Sequence, residues 1–210
     1  MASPKDIFDD AWLRCDVLAI AYSHTSKNFT GAFKAEEILR AEWVARVSAL
    51  DLFIHEVIAQ NMLLIFQKNK PISLGYNRFT LPHRVVDSIR DPSSTPTDAE
   101  RFFNLEIRRQ LGFQTYQHPN NIAEGIKFVS DIELWNKVAL HNGATTKTMQ
   151  TNARNIRNQL EAIVDRRNKI AHEGDMQPSV PRTPWPIDHG QLITVRDFIS
   201  SLVSAINVVV

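Results

Sequence analysis

Cysteine is almost missing from this chain: Cys15 is the sole one among 210 residues. One thiol cannot close an intramolecular disulfide, so a disulfide scaffold is excluded and packing must hold the fold. Cys15 stands among Leu13, Val17 and Leu18 in a helical pattern, where a buried, unreactive thiol is favoured over a nucleophile. Paired alternating apolar runs joined by tight turns are also lacking, which argues against sheet-based folds. There is no Gly-x-x-x-x-Gly-Lys, Gly-x-Gly-x-x-Gly or Gly-x-Ser-x-Gly, so P-loop hydrolysis, dinucleotide redox chemistry and hydrolase-fold ester cleavage lack support. Charge of either sign is scarcely in excess, with 24 lysines and arginines against 23 acids and a formal net charge of +1. No whole-molecule field draws such a chain to nucleic acid, and any polyanion site must come from local clustering.

The first residues, MASPKDIFDDAWLRC, carry early acids and no uninterrupted apolar run, unlike a secretory signal, and the cytoplasm is the expected compartment. A mean hydropathy of -0.23 argues against a chain dominated by membrane spans, and no membrane partner is expected. Metal ligation has no support either. Neither His55-Glu56 nor His172-Glu173 has a second histidine four residues on, and His24, His83, His118, His141 and His189 show no ligand spacing. No metal or cofactor is expected.

What is present is ordinary for a globular protein: 43% hydrophobic and 22% charged residues. A chain of this length buries about 70% of its unfolded surface, enough for one core and one domain over residues 1–210. Pro4 behind Ser3 marks the start of a first helix whose apolar face runs to Tyr22, and the polar stretch SHTSKNFTG breaks that pattern. From Lys34 to about Lys68 apolar residues recur at three-and-four spacing with no proline or glycine, which predicts one long helix. A loop follows, then a short helix over 82–90. Thr97 and Glu100 have capping-box spacing for a helix that ends at Gly112. One further helix is expected over about 121–141 and another from Lys147 to Ala171, stopped by Gly174. The proline-rich MQPSVPRTPWPIDHG cannot be regular helix, and Asp188 with Gln191 caps a last apolar helix. The expected fold class is all-α, a bundle of long helices with shorter accessory ones.

Chemistry concentrates in Asp165-Arg166-Arg167-Asn168-Lys169-Ile170-Ala171-His172-Glu173-Gly174-Asp175, which contains Arg-Asn-x-x-x-His. From Lys147 to His172 there are six lysines and arginines against two acids, a local excess of four. The motif resembles the signature of the HEPN superfamily, and RRNKIAHEGD looks most like its RiboL-PSP-type branch. The stretch RAEWVARVSALDLFIHEVI (40–58) is similar to that branch's early long helix, and FNLEIRRQLGFQTYQHPNNIAEGIKFVSDIELWNKVA (103–139) to its middle. The likeness runs from about residue 35 onward, with residues 1–34 matched only loosely. It implies an all-helical bundle that often forms a homodimer, bringing two motifs into a composite site. It also implies metal-independent RNase activity in defence or toxin–antitoxin systems, with an antitoxin or other regulatory protein as partner. Other members are non-catalytic modules that bind nucleotide, RNA or a partner protein.

The residues suit RNA cleavage. RNA carries its own nucleophile, the 2′-hydroxyl, so a protein need only move protons and stabilise charge on the phosphate. Imidazole titrates near neutrality, which makes His172 the candidate general base or acid. Arg167 can hold a phosphate oxygen through its charged fork, Asn168 can orient either group, and Arg166 and Lys169 can bind flanking phosphates. Five steps of ~100° place Arg167 and His172 about 140° apart around an ideal helix. They share a phosphate only if the helix end distorts or a second protomer supplies one of them. The alternative is that these residues merely complement the helix dipole above a glycine stop. His55 and Glu56 read as an interhelical or surface polar pair. Trp43, Trp135 and Phe102-Phe103 read as core. Trp185, between Pro184 and Pro186, either packs its loop onto the bundle, which is favoured, or offers a stacking face to a base.

Overall fold

The computed structural model describes residues 2–29 and 34–210, and among these eight α-helices follow one another with no strand. They are α1 (Pro4–Asn28), α2 (Glu36–Phe66), α3 (His83–Arg90), α4 (Pro96–Leu111), α5 (Pro119–Ile126), α6 (Leu134–His141), α7 (Met149–Glu173) and α8 (His189–Val209). A helix that is apolar around most of its girth must lie at the centre of a bundle, and α2 does. It buries Leu39, Trp43, Val47, Leu50, Ile54, Val57, Ile58 and Met62, and α1, α4, α5, α7 and α8 all pack on it. Both α2 and α8 are long and apolar enough to cross a bilayer; here their apolar residues fill the core. Trp43, Trp135 and Phe103 are buried, as their place in apolar stripes predicts, whereas Phe102 is half-buried beside Arg101.

Reciprocal side-chain capping sets the starts of α1, α4 and α8. Ser3 Oγ accepts from the Asp6 N–H at 3.1 Å, Asp6 returns the favour to the Ser3 N–H at 2.9 Å, and Pro4 occupies the first turn. Asp188 and Gln191 form the same reciprocal box on α8. On α4 the box is Thr95 with Asp98, not Thr97 with Glu100. Pro96 decides this, because the residue before a proline is pushed out of the helical region, into the extended conformation an N-cap needs.

Two other expectations change. The polar stretch after Tyr22 ends the apolar stripe of α1 but not the helix, which runs on to Asn28 because no proline or glycine intervenes; the last two residues of that stretch, 30 and 31, lie outside the described residues. The single helix expected over 121–141 is two helices, α5 and α6. The intervening chain is held by the 70–76 loop: Ser73 Oγ donates to the Phe128 carbonyl at 2.8 Å, and Asp131 accepts from the Leu74 N–H at 3.0 Å. Gly75 backs directly onto the Lys127 carbonyl, so close that a Cβ there would collide with it. Tyr76–Arg78, where that loop ends, forms a 3₁₀ turn.

Charged groups sit inside as well. Arg46 is fully buried and donates to Glu42 at 2.9 Å, to Asp16 at 2.5 Å and to the Trp12 carbonyl at 3.1 Å, tying α1 to α2. On α4, buried Glu106 accepts from Arg109 at 2.6 Å and Gln110 at 2.8 Å. The Arg109 bond leads in holding the Glu106 carboxyl at about 2, against an ordinary 4.5. A folded-state pKa below the unfolded one stabilises the fold above the unfolded value and loses that contribution as pH falls through the folded one. Stability measured by urea unfolding is therefore expected to decline between pH 4.5 and about 2. Glu106→Gln should flatten the decline across that window, and an unchanged slope would show that another carboxylate governs it.

Candidate functional site

The end of α7 is built from both its faces. Ala153, Leu160, Ile163 and Val164 form the buried face, and the Trp43 indole donates to the Ile163 carbonyl at 3.0 Å, fixing α7 against α2. Arg167, one turn beyond Ile163, continues that row and is half-buried. Its Nε is shielded from solvent without a partner, and one terminal nitrogen donates to Asn168 Oδ1 at 3.1 Å. Asn168, Lys169 and His172 are exposed. The helix stays regular through Glu173, so the angular separation of Arg167 and His172 is not relieved by distortion.

Gly174 stops the helix in the left-handed region at φ +63, and Asp175 continues there at φ +58, a conformation that Asp tolerates better than most side chains. The Asp175 N–H donates back to the Lys169 carbonyl at 3.0 Å. This turn drives the Asp175 side chain inward, where it is fully buried. One carboxylate oxygen accepts from Arg40 of α2 at 3.0 Å and from Arg166 at 2.6 Å. Arg40 also donates to the Trp185 carbonyl at 2.6 Å, and the Trp185 N–H donates to the Asp175 carbonyl at 2.7 Å. Between these ties the loop closes on itself, with the Gln177 N–H on the Thr183 carbonyl at 2.8 Å. Arg166 is therefore part of a clamp that anchors the motif's exit.

Outside the clamp, the last turn of α7 and the returning loop enclose a cleft of about 650 Å³. Lys169, His172, Glu173, Met176, Arg182 and Trp185 line it. The side chains of Lys169, His172 and Arg182 make no hydrogen bond or ion pair with the described residues. Arg167 is not on its wall. Of the five residues singled out from the motif, then, the structure brings Lys169 and His172 into one cleft and ties Asn168 to Arg167. It commits Arg166 to Asp175.

Elsewhere, Glu56 accepts from Arg108 of α4 at 2.5 and 2.8 Å, a contact that lowers the pKa of its carboxyl, while His55 lies edge-on to Tyr116. Glu56 thus ties α2 to α4 and His55 packs on the loop between α4 and α5, both off the wall of the cleft. No three His, Cys, Asp or Glu side chains among the described residues are grouped to hold a metal ion. Sequence reasoning passed over three residues of the site. Arg40 is signalled only as a charge within an apolar stripe, Asp175 as an acid just past a helix-stopping glycine, and Arg182 by nothing local.

The clamp has a measurable consequence. Asparagine tolerates the left-handed conformation as aspartate does, so Asp175→Asn removes the charge with little backbone penalty. It leaves the Arg166 guanidinium without an anion and the buried Arg40 guanidinium with only Glu37, at 3.0 Å, at a cost of roughly 3 kcal/mol. Guanidinium unfolding at neutral pH should show a loss of this order; a loss within the noise would mean that the clamp does not hold the end of α7.

A family model for the RiboL-PSP-HEPN domain matches residues 14–210. No curated protein and no solved structure matches the chain. The family match spans all but the start of α1, includes the Arg-Asn-x-x-x-His motif and agrees with a helical bundle free of strands among the described residues. The chain belongs to the RiboL-PSP-type HEPN family.

Proposed function

We propose that this protein is a metal-independent endoribonuclease of the HEPN type, with His172 as the proton-transferring group and Arg167 as the phosphate-stabilising one. The observation that carries the reading is an exposed, unpartnered imidazole in a polar cleft, with a lysine one turn before it and the motif arginine five residues upstream. The 2′-hydroxyl gives up its proton to a base as its oxygen bonds to phosphorus. The bond from phosphorus to the 5′-oxygen breaks, and that oxygen takes a proton. The products are a 2′,3′-cyclic phosphate and a 5′-hydroxyl. His172 serves one of the two proton transfers, Arg167 holds a non-bridging oxygen, Asn168 orients the arginine it touches, and Lys169 binds a neighbouring phosphate.

Because α7 is regular to Glu173, Arg167 and His172 of one chain point to different sides. The proposed enzyme is accordingly a homodimer in which Arg167 of one copy faces His172 of the other. On mixed RNA in EDTA, His172→Ala and Arg167→Ala should each slow cleavage by at least ~100-fold. Equal rates for all three proteins would remove both assignments. Mixing equal amounts of the two inactive variants should restore about a quarter of the wild-type activity, since half the dimers then hold one intact pair out of two. No restoration would place the pair within one chain.

The absence of Arg167 from the cleft also favours a second reading, a non-catalytic module that binds RNA, nucleotide or a partner protein through the same surface. It predicts titratable binding with no turnover. An RNase of this kind in the cytoplasm needs restraint, which fits a defence or toxin–antitoxin system with an antitoxin or other regulatory protein as partner. Expression without that partner should arrest growth, and the arrest should vanish with His172→Ala.

A further inference from the structure

Trp185 is held in an unusual way. Its amide donates to the Asp175 carbonyl and its carbonyl accepts from Arg40, so the backbone that carries the indole is fixed by the buried clamp. The ring itself is only half-buried and forms one wall of the cleft that contains His172. Arg182, on the other limb of the loop, is exposed and unpartnered, and it lines the same cleft. Facing them from the last turn of α7 are Lys169, with no partner of its own, and Glu173.

We propose that the 176–185 loop makes a nucleotide subsite beside the motif, with Trp185 stacking a base and Arg182, together with Lys169, holding the adjoining phosphate. A cleft of about 650 Å³ is in the size range of small-molecule sites. Its chemistry is what a nucleotide offers: a flat aromatic face, two cations for one phosphate, and in Glu173 an acceptor for a sugar hydroxyl or a base amine. A ring anchored through its backbone loses little freedom when it stacks, which favours binding. A base can reach the indole only if it lies outside a duplex, so the subsite takes an unpaired nucleotide. The proposal rests on the nuclease reading in that it supplies the strand which passes His172.

The test separates binding from cleavage. The probe is a mixed-sequence single strand of 2′-fluoro RNA, which keeps the phosphates and bases but has no 2′-hydroxyl to attack. Its affinity is measured alongside cleavage of ordinary RNA. Trp185→Ala should weaken binding by about tenfold, and Trp185→Phe, which keeps a stacking ring, by much less. RNA should quench wild-type tryptophan fluorescence, and Trp185→Phe should abolish the quench, since Trp43 and Trp135 are buried and half-buried Trp12 packs against Arg46 between α1 and α2, off the wall of the cleft. Arg182→Gln should make the salt slope of log K shallower by roughly 0.7, one single-strand phosphate contact. The same sequence in a perfect duplex should bind more weakly. If Trp185→Ala fails to fold, the quench and the salt slope still decide. Affinity unchanged in Trp185→Ala, the quench retained in Trp185→Phe, a salt slope unchanged in Arg182→Gln, or equal affinity for the duplex would overturn the subsite. Wild-type cleavage alongside that result would leave the nuclease reading standing. Trp185-dependent binding without cleavage would end the nuclease reading and keep the subsite.

Discussion

A carboxylate sealed from water between two guanidinium groups cannot leave its place without stranding charge, and Asp175 is held in this way by Arg40 and Arg166. Such a cluster is a poor source of net stability, because desolvating the ions offsets most of their attraction. What it supplies here is position. It joins the centre of the bundle, through Arg40 on α2, to the last turns of α7 through Arg166, and to the returning loop through the Trp185 carbonyl. Three segments that would otherwise be free at a helix end are set relative to one another, and the cleft is the space left between two of them.

The same clamp explains a division of labour among neighbours in sequence. Arg166 and Arg167 are adjacent and chemically identical, yet a step of ~100° sends one towards Asp175 and sets the other on the row that begins with Ala153. His172 faces the cleft instead. An arginine that continues a core row is half-shielded, with one nitrogen already deprived of partners, and so is poised to gain from an anion brought to it. None of the described residues brings one there, which is why the proposed chemistry calls for a second copy.

Much of the fold was legible in the sequence where the signal is local. Apolar spacing marked α2 and α8, Ser3-Pro4 and Asp188-Gln191 marked helix starts, and Gly174 marked the stop that exposes the motif's end. Signals failed where two local rules competed or where the cause was distant. Thr95 and Thr97 both precede an acid by three, and only the restriction that Pro96 imposes chooses between them. The break between α5 and α6 depends on Ser73, Leu74 and Gly75, more than fifty residues away, so the periodicity of 121–141 could not reveal it. The site divides likewise. The motif was legible as a string, but the partner that turns Arg166 inward comes with Arg40, separated from Asp175 by 135 positions.

Electrostatics narrows what such a surface can bind. The basic excess of the 147–172 segment is smaller in three dimensions than in sequence, since Arg166 is paired with Asp175 and Arg157 donates to Asn120. With a formal net charge of +1 there is no long-range field to compensate. A polyanion held by so few cations is shed as salt rises, because each phosphate contact contributes only its share of released counterions. Affinity at physiological salt must then come from contacts that salt does not screen, and base stacking is the chief one available to RNA. On the proposed reading, a single aromatic ring, fixed through its backbone beside the imidazole, is the economical way for a nearly neutral protein to hold a strand.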